Sequence, residues 1–119
     1  MNNFGIVTRY TMRAFPQGQI LGGDRIYSSA QRDTLANEAF KLTTIWKNDA
    51  DMAFYYGYSY NQTLDKFSIS FSQEYTQSVI QPAPFVELNR IRYKSSTVRI
   101  DRMSNLSLEG ASHTPSGGQ

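Results

Sequence analysis

Cysteine is absent from this chain of 119 residues, and there is one histidine, His113. Without cysteine there is no disulfide framework, no thiolate catalysis and no cysteine-ligated zinc. A lone histidine, set in the Gly-, Ser- and Pro-rich end EGASHTPSGGQ, leaves a Ser-His-Asp or metal-histidine site almost no parts to be built from. Charge is scarce too, at 18% of residues with a net charge of +2. Long apolar runs are missing, so no segment reaches the roughly eighteen residues of a membrane-spanning helix. The N-terminus MNNFGIVTRYTMRAF lacks the basic and then apolar plan of a signal peptide. The expectation is a soluble, cytoplasmic protein that makes no membrane contact.

Uncharged polar residues fill the space that charge leaves. Thirteen Ser, nine Thr, seven Asn and eight Gln make a surface that is solvated but weakly self-repelling. Such a surface favours association with another protein or with copies of itself, which makes a homo-oligomer the expected state. A chain of this length buries a sufficient core as one unit. The expected organisation is a single α+β domain over residues 1–109 and a flexible tail over 110–119.

The hydrophobic period supports that class. Residues 4–14 alternate and are rich in β-branched and aromatic types, which predicts a strand. The segment 16–24 carries Pro16, Gly18, Gly22 and Gly23, which predicts turns around the short apolar step of Ile20 and Leu21. Ser28 and Gln31 then form a capping-box pattern with Asp33 in the first turn. Leu35, Ala39, Leu42 and Trp46 follow at helical spacing, predicting one long helix over 28–47. From Met52 the period falls to two. Met52, Phe54, Tyr56, Tyr58 and Tyr60 share one strand face, and Phe67, Ile69 and Phe71 alternate with Lys66, Ser68, Ser70 and Ser72 beyond a turn at 61–65. After the break at Gln81-Pro82-Ala83-Pro84, residues 85–94 and 97–103 are predicted to form a second hairpin. The fold class expected is α+β, with one long helix packed on an antiparallel sheet of four to five strands in the order β-α-β-β-β-β. That order, with Leu21-Gly22-Gly23 ahead of the helix, resembles the cystatin-like folds, but Asn61-Gln62-Thr63-Leu64-Asp65 stands where cystatins carry Gln-x-Val-x-Gly, so no family is assigned.

Few residues offer chemistry. Asp49 and Asp51 are a close carboxylate pair without the further oxygen ligands that a magnesium or calcium site needs. The stretch GQILGGDR has neither the Lys-Ser/Thr of a phosphate loop nor the G-x-G-x-x-G of a dinucleotide turn. No catalytic residue, metal ligand or cofactor is therefore expected, and the chain reads as non-enzymatic.

Two binding surfaces suggest themselves instead. Phe54, Tyr56 and Tyr58 are expected to be core, whereas Tyr55 on the opposite strand face and Tyr60 near the hairpin tip are candidate contacts for a partner. Arg90, Arg92, Lys94, Arg99 and Arg102 meet only Asp101 between residues 89 and 103, and three of them share a face if the segment is a strand. The function these features imply is protein interaction of an assembly, accessory or inhibitor type, such as phages and mobile elements encode, with a protein partner or a second copy. The alternative is nucleic-acid binding through the basic hairpin.

Overall fold

The structure, a computed structural model, describes residues 8–112. Its elements are β1 (Ile20–Ser28), a 3-10 turn (Ser29–Gln31) running into α1 (Arg32–Thr44), β2 (Met52–Asn61) and β3 (Lys66–Tyr75). A second 3-10 turn (Ala83–Phe85) leads into α2 (Val86–Arg90), followed by β4 (Ser95–Ser96), β5 (Arg99–Asp101) and α3 (Met103–Ser112). The five strands make one antiparallel sheet in the order β2-β3-β1-β4, with β5 also paired to β1. The α+β class holds, with three helices among the described residues in place of a single long one.

The central hairpin forms as its alternation dictates. β2 and β3 pair from Met52↔Tyr75 to Asn61↔Lys66, and β3 pairs with β1 from Leu21↔Tyr75 to Ser28↔Ser68. This register puts Tyr27, Ile69, Phe71, Phe54 and Tyr56 on one face. There Leu35 and Leu42 of α1, Phe85 of the second 3-10 turn and Leu88 of α2 cover them. Phe71 is the hub, with Phe54 stacked at 5.5 Å between ring centroids and Tyr56 tilted at 5.6 Å. Ala39 and Trp46 pack against this core as the helical spacing implies. The aromatic stripe is nevertheless divided, because α1 does not extend over the hairpin end. Tyr58, Tyr60, Leu64 and Phe67 remain exposed there.

The Ser28–Gln31 capping box is present. Ser28 accepts from the Ala30 N–H at 3.4 Å, and the Ser28 N–H donates to Gln31 Oε1 at 3.3 Å. Asp33 occupies the first turn of α1.

Two expectations are corrected. Residues 8–14 are irregular and exposed, whereas the expected strand's residues 4–7 lie outside the described residues. The strand is β1, where Gly22-Gly23 suggested a break. Both glycines serve close packing in mid-strand, as glycine does where another chain approaches. The second hairpin is also absent. Pro82 and Pro84 open a helical turn, because a fixed φ near −65° suits the start of a helix better than a ladder. Phe85 and Leu88 are buried at an i, i+3 helical spacing that alternation alone does not reveal. Of the expected tail 110–119, Gly110–Ser112 close α3, and 113–119, with His113, lie outside the described residues.

Candidate functional site

The sheet face turned away from α1 and α2 is polar. The same register that sends Phe71 and Ile69 into the core sends Ser68, Ser70 and Ser72 to the opposite side. Beside them lie Asp24 and Ile26 of β1 and Tyr55, Gly57 and Ser59 of β2. On the far side of β1, Ser95 pairs with Ile26. Thr97 is held against Asp24 by two bonds: its N–H donates to the Asp24 carbonyl at 2.9 Å, and its Oγ1 accepts from the Asp24 N–H at 3.0 Å. All of these polar-face residues except Ser68 and Gly57 line an open concavity of about 520 Å³.

Its geometry is fixed from below and from the sides. Ser72 Oγ donates to Asp24 Oδ1 across the β1–β3 pair, and Ser59 and Ser68 share a hydrogen bond of 2.9 Å across β2–β3. The ring of Tyr55 lies over Gly57, where a Cβ would stand 3.0–3.3 Å from three of its atoms. Glycine at 57 thus lets the ring fold down along the strand. Tyr55 keeps 67% of its surface exposed, which suits a half-wet contact residue. At Gly23, with φ of +135°, a Cβ would meet the Thr97–Val98 backbone at 2.8 Å, so the 95–98 wall sits close only because this residue has no side chain. α3 bounds the face beyond Gly22, where Leu106 occupies the space of a missing Cβ.

α3 is anchored through charge. Arg99 Nη1 pairs with Glu109 at 2.5 Å and its Nε with Asp101 at 3.0 Å. Asp101 also accepts from the Arg102 N–H at 2.7 Å and from Asn105 Nδ2 at 2.8 Å. These donors, the Arg102 N–H foremost, hold the Asp101 carboxyl below its ordinary pKa, and Glu109 and Asp101 hold the Arg99 guanidinium above its own.

The candidate binding residues therefore divide. Tyr55 lines the open face. Tyr60 lies on the other face at the hairpin end, its ring 4.8 Å from Phe67 and its hydroxyl donating to Asp65 at 2.6 Å, a bond that raises its pKa. The five cations do not converge on a strand face. Arg90 ends α2 and pairs with Glu87 at 2.6 Å, and Arg99 clamps α3. Arg92 offers its carbonyl to Gln31 at 2.6 Å, Lys94 donates its N–H to the Ile26 carbonyl at 2.7 Å, and Arg102 begins the turn into α3. Asp49 and Asp51 pin the ends of β2 and β3: Asp51 accepts from Thr76 and from Gln77 at 3.0 Å, and Asp49 accepts from Tyr75 at 3.4 Å. Among the described residues no group of three or more His, Asp or Glu is placed to hold a metal ion, and no helix is long and apolar enough to cross a membrane. Sequence reasoning missed Asp24, Ser59, Ser70, Ser72, Ser95 and Thr97. The regular serines opposite Phe67, Ile69 and Phe71 were the available signal, and they read as a solvated strand face.

Two curated proteins are similar to nearly the whole chain. An FAD-dependent monooxygenase of Emericella nidulans is 32% identical over 112 residues, covering 92% of this chain and 23% of that protein. An FAD-dependent monooxygenase of Aspergillus calidoustus is 30% identical over 107 residues, covering 90% of this chain and 20% of that protein. The chain thus spans between a fifth and a quarter of the length of these relatives. No protein-family model and no solved structure matches it. The glycine pair of β1 is not a dinucleotide cradle. Gly22 and Gly23 lie in mid-strand against Leu106 and the Thr97–Val98 backbone, so they form no glycine turn at a helix N-terminus to cradle a diphosphate.

Proposed function

We propose that the chain is a binding unit and not a self-sufficient catalyst, and that its hydroxyl-lined sheet face forms one wall of the substrate site of an FAD-dependent monooxygenase. In this reading the part that holds the flavin is polypeptide outside the described residues, which is the protein partner this surface serves. The observation that carries the proposal is the concavity of about 520 Å³ over Ser70 and Ser72, edged by Tyr55 and Thr97. It lies within the range of small-molecule sites and presents hydroxyls fixed by a sheet, an arrangement suited to an uncharged organic molecule bearing hydroxyl or carbonyl groups. The similarity to the two monooxygenases over nine-tenths of the chain supports placing the unit in that setting. The misfit of the β1 glycine pair to a dinucleotide supports assigning flavin binding elsewhere.

Self-association through the exposed Tyr58, Tyr60, Leu64 and Phe67 is a second protein-binding reading, favoured by their clustering at one hairpin end. Nucleic-acid binding, the alternative reading, would draw on Arg90, Arg92, Lys94, Arg99 and Arg102 from α2, β5 and the segments around them and not from one hairpin face. A flavin titration tests the main proposal. Adding FAD to the purified chain is expected to leave the flavin's visible spectrum and fluorescence unchanged. A saturable spectral shift at micromolar FAD would show that the chain holds the cofactor itself, and would overturn the division of labour proposed here.

A further inference from the structure

We infer that a second site, on the helix-covered side of the sheet, binds a small organic monocarboxylate. A cavity of about 380 Å³ opens between β1, α2, β5 and the 80–81 segment. Leu21, Ile80, Val98 and Ile100 give it apolar walls, and Arg25, Asn89 and Gln81 supply its polar groups. It is separate from the hydroxyl-lined concavity, because Arg25 and Leu21 alternate with Asp24 and Ile26 along β1 and face the other way.

Arg25 is held as a receptor for an anion. Its Nη1 donates to Asn89 Oδ1 at 2.6 Å, its Nε donates to Ser96 Oγ at 3.3 Å, and its guanidinium lies over the Tyr93 ring at 4.8 Å from the centroid. A neutral amide, a hydroxyl and an aromatic face orient the group without neutralising it. Among the described residues no carboxylate pairs with Arg25. The Tyr27 hydroxyl is a further neutral neighbour of the guanidinium. Because Asn89 Oδ1 accepts from Arg25, the Asn89 amide must turn its NH₂ toward other acceptors. Arg99, the other cation lining the cavity, is already engaged by Asp101 and Glu109. One guanidinium held by neutral partners, an amide NH₂ and four aliphatic walls match a carboxylate on an apolar body. A fork of parallel N–H donors fits the two carboxylate oxygens, and the volume accepts a ring or short chain behind them.

The test is an amide and side-chain NMR titration of the 119-residue chain with benzoate, run beside the isosteric neutral benzamide. Benzoate is expected to shift the side-chain resonances of Asn89, Gln81 and Arg25 saturably and to bind at least about tenfold more tightly than benzamide, the difference one charge-assisted contact confers. Arg25→Gln, provided its spectrum stays dispersed, is expected to weaken benzoate by about tenfold or more. If that variant does not fold, the benzoate–benzamide ratio in the unaltered chain decides. Equal binding of the two compounds, shifts confined to other regions, or an Arg25→Gln chain that folds and binds benzoate unchanged would each overturn the inference. Shifts at Tyr55, Ser70 and Ser72 report on the opposite face, so failure here is distinguishable from failure of the proposed function.

Discussion

Replacing Gly23 by alanine should damage this protein far more than replacing its neighbour Gly22. At Gly23 the backbone has φ of +135°, and an added Cβ would lie 2.8 Å from the Thr97 carbonyl carbon and oxygen and from Val98 Cα. Holding a non-glycine residue in such a conformation costs about 1–3 kcal/mol, and forcing a methyl group against backbone adds about 1–3 kcal/mol of overpacking. The smaller entropy of the unfolded alanine chain returns less than about 1 kcal/mol. The net loss should be about 1–6 kcal/mol, a large part of the roughly 6–18 kcal/mol expected for a chain of this length. At Gly22 the added methyl meets only the end of the Leu106 side chain, its Cδ1 at 2.5 Å, and that side chain can change rotamer. The cost there should stay within about 1 kcal/mol. Urea denaturation followed by the fluorescence of Trp46, which packs against the core, measures both at a common m value. Equal losses for the two variants, or a Gly23→Ala loss below about 1 kcal/mol, would refute the close approach of Thr97 that shapes the polar face.

Phe71→Ala should cost about 3–5 kcal/mol in the same assay, because Phe71 is buried between Phe54, Tyr56 and the helices. Tyr55→Ala should change stability by less than about 0.5 kcal/mol, as its ring is largely in solvent. The Asp101 carboxyl titrates below its ordinary value in the folded chain, so its bonds to Arg102, Asn105 and Arg99 are fully present above about pH 4 and are lost as pH falls through the lowered folded value. An Asp101→Asn chain should therefore show a weaker loss of stability with acid than the unaltered chain, as read from thermal melts between pH 5 and about pH 2. Burial first, and then the Tyr58 hydroxyl 2.5 Å away, push the Tyr56 phenol up to about 12. Tyr56 should ionise above the free-tyrosine value of about 10 in an alkaline absorbance titration at 295 nm, and the stability its neutral form provides should be lost as pH rises from about 10 through the raised value.

Much of this architecture is legible in the amino-acid order. A period of two over Met52–Tyr60 and Phe67–Ser72 sets the pairing and the buried face of the hairpin, because a one-residue slip would bury serines. Ser28 and Gln31 mark the helix start because their side chains satisfy backbone N–H groups that no helical partner reaches. The failures share one cause, which is that local chemistry is overridden by contacts distant in sequence. Gly22 and Gly23 look like a turn until Leu106 and Thr97 are known to need their missing side chains. Arg90, Arg92 and Lys94 look like a strand face until Phe85 and Leu88 are seen to be drawn into the core as a helix. The candidate site was half visible. Tyr55 follows from parity, but Asp24, Ser95 and Thr97 come from β1, β4 and the link after β4, whose pairing no local pattern encodes, and the cavity around Arg25 draws on residues up to 79 positions apart.

The most direct test of the polar sheet face is an NMR shift map of the 119-residue chain titrated with resorcinol, a neutral dihydroxylated probe. If the face is a substrate wall, saturable shifts will concentrate at Ser59, Ser70, Ser72, Thr97 and Tyr55, and Tyr55→Ala will weaken binding several-fold while leaving the spectrum dispersed. Shifts scattered over the surface, or resorcinol binding indifferent to Tyr55→Ala, would contradict that role.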